Sequence, residues 1–125
     1  VRRYPDIANS LHNLYLEDSY VLGIRIGGHS LEFEVEAVLC ESHELYVPPD
    51  AGTRYCYRVG SLRFPDVTKM EWKELILPRS VDPDGSVDYG SFHVFWEESA
   101  GWYYLVGDWG EVRVKSGVPF FTPNP

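Results

Sequence analysis

The chain has 125 residues, 44% hydrophobic and 15% aromatic, the size and content of one domain that buries roughly two-thirds of its unfolded surface without a metal or disulfide framework. Nineteen acidic against eleven basic residues give a net charge of −8, which argues against a phosphate backbone or an anionic membrane as partner and suits a basic protein or a cationic ligand. Cys40 and Cys56 lack C-x-x-C spacing, no apolar run reaches the ~18 residues of a membrane span, and no charged-then-apolar leader precedes the first element, so reduced thiols and a cytoplasmic location are expected, with Val1 reading as a trimmed or partial start.

Residues 1–5 read as an arm, because Pro5 cannot donate to a ladder and restricts the residue before it. Asp6 then caps a predicted short helix whose stripe of Ile7, Leu11, Leu14 and Tyr15 runs to about Leu16. From Tyr20 the period becomes two, with Tyr20, Leu22, Ile24 and Ile26 on one strand face and Val21, Gly23 and Arg25 on the other. Gly27-Gly28 supplies a hairpin turn. In the next strand Leu31, Phe33, Val35, Ala37 and Leu39 alternate with Glu32, Glu34 and Glu36, which predicts one core face and one acidic stripe in water.

Leu45-Tyr46-Val47 is a short apolar stretch stopped by Pro48-Pro49. Residues 54–64 alternate again, Tyr55, Tyr57 and Val59 against Arg54, Cys56 and Arg58, with a bulge or bend expected at Gly60-Ser61. The segment 67–77, bracketed by Pro65 and Pro78, is assigned to a strand, and Asp82-Pro83-Asp84-Gly85-Ser86 to a loop. Phe92 to Trp96, Trp102 to Val106 and Gly110 to Val114 are rich in aromatic and β-branched residues and predict three consecutive antiparallel strands. The prolines of residues 118–125 predict a second arm outside the sheets. The sum is a mainly β domain spanning residues 1–125, an antiparallel β-sandwich or open barrel with one short N-terminal helix.

Motifs that would carry chemistry are scarce. The carboxylates of residues 82–88 alternate as in a calcium loop, but the middle ligand and the distant glutamate are missing, so a turn with solvated aspartates is the reading. His12, His29, His43 and His93 stand alone without ligand spacing, and neither G-x-S-x-G nor G-x-G-x-x-G occurs. No metal or cofactor is therefore called for. His93, within an aromatic strand, is the histidine best placed to act as a pocket polar group or general base. Tyr103 and Trp109, beside the turn that holds Asp108, are the rings expected to face outward as binding anchors. Glu32, Glu34 and Glu36 form the row expected to meet a basic partner.

Leu16-Glu17-Asp18-Ser19-Tyr20-Val21, together with Tyr104 to Val112, resembles small bacterial β-rich families of uncharacterised or immunity-protein type that stand beside polymorphic toxins. The resemblance covers about a fifth of the chain. It implies a non-enzymatic interaction module whose partner is a basic toxin domain, recruited by charge and held by aromatic anchors. The alternative expectation is a small-molecule binder with an aromatic-lined pocket in which His93 and one carboxylate orient the ligand. Phe120-Phe121 and any free edge strand add the expectation of a homodimer.

Overall fold

The computed structural model describes residues 1–76 and 88–125, so the loop read at 82–86 lies outside the described residues. Nine strands are described: β1 (Arg2–Arg3), β2 (Leu14–Ile26), β3 (Leu31–Leu39), β4 (Cys56–Phe64), β5 (Lys69–Leu75), β6 (Phe92–Ser99), β7 (Trp102–Gly107), β8 (Gly110–Lys115) and β9 (Phe120–Pro123). They form two open antiparallel sheets, ordered β1-β6-β7-β8-β5 and β2-β3-β4-β9. The sheets pack face to face as a sandwich and do not close into a barrel.

Rings carry the packing between the layers. Phe33 of β3 lies 4.9 Å from Trp109 and 5.5 Å from Phe92, centroid to centroid. Phe64 of β4 meets Phe95 at 5.6 Å and Tyr103 at 5.8 Å, and Tyr4 stacks on Phe95 at 5.7 Å. Tilted and edge-to-face pairs of this kind add about 0.5–1.5 kcal/mol each beyond their buried area.

The strands assigned to 67–77 and to the aromatic C-terminal region are present as β5 to β8, and the alternation of β3 is as expected. The predicted N-terminal helix is shorter. A 3-10 turn (Tyr4–Asp6) and one helical turn (Asn9–His12) replace it, and Leu14 already pairs with Leu39. Leu14 and Leu16 are buried and Tyr15 is exposed, which is strand alternation; a short apolar stripe fits both periods, and pairing with β3 decides.

Both segments expected to be arms instead join sheets. β1 pairs with Trp96 and Glu97, and Arg2 Nη2 lies 2.6 Å from Glu97 Oε1. β9 pairs with Gly60 to Arg63 along the edge of the second sheet, where a proline without an N–H is tolerated. Gly60 is no bulge, since β3 and β4 pair without a register shift. A Cβ at Gly60 would sit 2.5 Å from a Phe121 ring carbon and from the Thr122 carbonyl, so glycine is there to admit β9.

β2 departs most from its predicted pattern. Tyr15 opposes Val38 and Tyr20 opposes Glu36, so β2 advances five positions while β3 advances two. The buried Ser19 spans the gap: its Oγ accepts the Val38 N–H at 2.8 Å and donates to the Tyr15 carbonyl at 2.7 Å. A second irregularity follows, with Val21 opposite Val35 and Gly23 opposite Glu34, leaving Leu22 as the extra residue. Tyr20 therefore faces outward, Val21 faces the core, and the single face predicted for Tyr20, Leu22, Ile24 and Ile26 is broken.

Candidate functional site

The outward face of β2-β3-β4 follows from that register. Residues directly opposed in a ladder project to the same side, so Glu36 lies between Tyr20 and Val59, Val38 between Tyr15 and Tyr57, and Glu32 between Arg25 and Arg63. One half of the face is thus aromatic and the other half is charged. Tyr15, Tyr55, Tyr57 and Tyr20 form a continuous chain of rings, with successive centroids at 6.3, 6.0 and 6.3 Å. Tyr15, Tyr20 and Tyr57 remain 41%, 43% and 37% exposed.

One bulge carboxylate, Asp18, borders this face. The phenol of Tyr55 donates to Asp18, and that hydrogen bond, followed by burial, raises the Tyr55 pKa above its ordinary value. The pKa of Tyr57 is raised first by burial and then by Tyr20, Glu36 and Asp18. The three glutamates are not equivalent. Arg25 lies 3.5 Å from Glu32 and 3.9 Å from Glu34, whereas Glu36 has no cation within ion-pair distance among the described residues.

The other residues singled out from the sequence fall elsewhere. Trp109 is fully buried and Tyr103 is 2% exposed, so both rings expected as outward anchors belong to the core. Their inward direction follows from parity: Tyr103 and Leu105 face the opposite sheet, and Trp109 closes the layer against Phe33 and Phe92. The tight turn at Asp108 brings Asp108 to His93, with Nε2 to Oδ1 at 3.0 Å, while Asp108 Oδ2 accepts the Ser91 N–H at 3.0 Å. Gly90, at φ +84°, passes so close to Asp108 that a Cβ would lie 2.4 Å from it.

His93 is the extra residue where β6 slips against β7 between Phe92 and Val94. It is exposed, and Phe92 and Phe95 are both buried, so it does not share a face with Phe95 as strict alternation predicts. The Ser91 hydroxyl donates to the Glu17 carbonyl at 2.5 Å and is thereby committed away from His93, so Ser91 is not aligned as a nucleophile for the His93–Asp108 pair. A cleft of about 280 Å³ beside His93 is lined by Arg3, Tyr4, Glu17 and residues 92–96. Its polar groups already have partners: Arg3 pairs with Glu17 at 3.2 Å, the Tyr4 hydroxyl donates to Glu17 at 2.5 Å, and His93 contacts Asp108.

Cys40 and Cys56 are free thiols that line a second cleft, of about 290 Å³, at the tyrosine end of the β2-β3-β4 face. Burial, then Glu17, raises the Cys40 pKa, which disfavours its thiolate. Among the described residues no group of three or more His, Cys, Asp or Glu side chains converges to hold a metal ion, and no helix is long and apolar enough to cross a membrane.

The outward tyrosines were not among the expected anchors, although part of the signal was present. Leu62 and Phe64 share parity with Cys56 and Gly60, so an uninterrupted β4 that buries those two must turn Tyr55 and Tyr57 outward. Tyr20 carried no comparable signal, because its direction depends on two irregularities in β2. No protein-family model, curated protein or solved structure matches the chain.

Proposed function

We propose that this chain is a non-enzymatic interaction module that holds a basic protein partner on the outward face of β2-β3-β4. The observation that carries the reading is the aromatic half of that face, where three partly exposed tyrosines share the surface with Glu36, a carboxylate with no cation of its own among the described residues. Tyrosine gives rigid contact area with a polar tip, and a net charge of −8 steers a basic surface toward it. The sequence resemblance to immunity-type families is consistent with a toxin domain as that partner. The anchors are Tyr15, Tyr20 and Tyr57 in place of Tyr103 and Trp109.

Capture from a lysate of the native host with two baits tests this, the wild-type chain and the triple variant Tyr15→Ser, Tyr20→Ser, Tyr57→Ser. A basic protein held by wild type, released at high salt and missing from the equally folded variant is the expected result. Equal capture by both baits would overturn the reading.

The cleft beside His93 supports a second reading, a small-ligand site, because an imidazole, the Glu17 carboxylate and the walls of Tyr4 and Trp96 line one concavity. A ligand there has to displace the Arg3–Glu17 pair. A thermal-shift screen in which hits depend on His93 and Glu17 would favour this site over the sheet face.

A further inference from the structure

We propose that Glu36, bracketed by Tyr20 and Tyr57, is the anchoring point for an arginine side chain of the basic partner. This rests on the reading of the β2-β3-β4 face as the docking surface, and it names the group that the face takes. Glu36 is directly opposite Tyr20 in the ladder and lies diagonally from Tyr57, and the two rings stand 6.3 Å apart at an interplanar angle of 34°. Tyr20 and Tyr57 remain 43% and 37% exposed and Glu36 is half-buried, so a planar cation can reach both the rings and the carboxylate from solvent. Arg25 serves Glu32 and Glu34, and Arg54 lies 5.0 Å over Tyr55, so among the described residues neither occupies this position.

The molecule contains the same arrangement, already filled, on its other sheet. Arg113 lies 4.3 Å over the Tyr104 ring and makes two hydrogen bonds to Glu98, from Nε at 3.0 Å and from Nη2 at 3.1 Å. A carboxylate beside a tyrosine thus receives a guanidinium through a fork and a stack together. Lysine can supply the charge but neither the second parallel hydrogen bond nor the planar stack, so the site selects arginine.

NMR titration of the full chain with N-acetyl-arginine amide reads this directly, with N-acetyl-lysine amide as the control. Saturable shifts centred on the Tyr20 and Tyr57 rings and on Glu36 are expected, with the lysine probe weaker. Glu36→Gln, nearly isosteric and at a partly solvated position, should weaken arginine binding about five- to tenfold, and Glu32→Gln should leave it within about twofold. Shifts centred on Glu32 and Glu34, or equal binding by Glu36→Gln, would overturn the assignment. The two levels separate in lysate capture: if the tyrosine triple variant loses the partner but Glu36→Gln and Tyr57→Leu keep it, the arginine anchor fails and the docking face stands. If the triple variant also keeps it, both fail.

Discussion

The two outer faces of the sandwich use similar side chains in different ways. On the five-stranded sheet Tyr104 is covered by Arg113, Trp102 has the Lys115 ammonium 5.8 Å above its ring, Arg113 is paired with Glu98, and the Tyr104 hydroxyl donates to Glu111 at 2.8 Å. On the four-stranded sheet the charges and rings are segregated: Arg25 answers Glu32 and Glu34 at one end, whereas at the other, where Arg54 lies 5.0 Å over Tyr55, no cation among the described residues pairs with Glu36 or lies over Tyr20 or Tyr57. An exposed ring is therefore not by itself a mark of recognition. The distinguishing feature is whether the chain supplies the ring's cationic neighbour from its own sequence.

The comparison assigns stability to the rings between the sheets and recognition to rings outside them, and Trp109→Ala tests that division most severely. Trp109 contacts Phe33, Phe92 and Trp72, so its removal opens a cavity shared by both layers. A loss of about 3–5 kcal/mol in denaturant unfolding is expected. A small loss with weakened partner capture would return Trp109 to the binding surface and break the comparison.

A smaller effect separates the outer faces from each other. Arg113→Ala uncovers Tyr104 and leaves Glu98 without its pair, so it should lower the melting temperature by a few degrees. Glu36→Ala removes no intramolecular ion pair among the described residues and should leave the melting temperature nearly unchanged. Equal losses in the two variants would mean that Glu36 is as engaged within the fold as Glu98 is.

How much of this was legible in the sequence depends on whether period alone decides a residue's direction. β3 alternates without interruption between two neighbours, so its core and acidic faces could be read directly from Leu31 to Leu39. β2 could not be read that way, because Ser19 and Leu22 absorb extra residues through a side-chain hydrogen bond and a slip in pairing, both set by the partner strand. The same holds for His93, whose slip against β7 turns it away from Phe95. The termini were misread for a related reason: the prolines near β9 forbid a central strand, and the free edge of β4 does not require one. The His93–Asp108 contact links residues on different elements, and only the folded turn brings them together.

The smallest predicted effect concerns how the five-stranded sheet secures its own edge. Burial acts to raise the Glu97 carboxyl, but the Gly101 N–H, at 3.2 Å, and the Arg2 guanidinium outweigh it and hold the pKa below its ordinary value of 4.5. A carboxyl depressed in the folded state contributes stability that is complete above its unfolded pKa and is lost as pH falls through the folded one. Wild type should therefore lose its advantage over Glu97→Gln progressively below about pH 4.5 and keep it at neutrality, read as the difference between their urea midpoints. Equal midpoints for the two proteins at neutrality would mean that the Arg2–Glu97 pair does not secure β1 on the edge of β6.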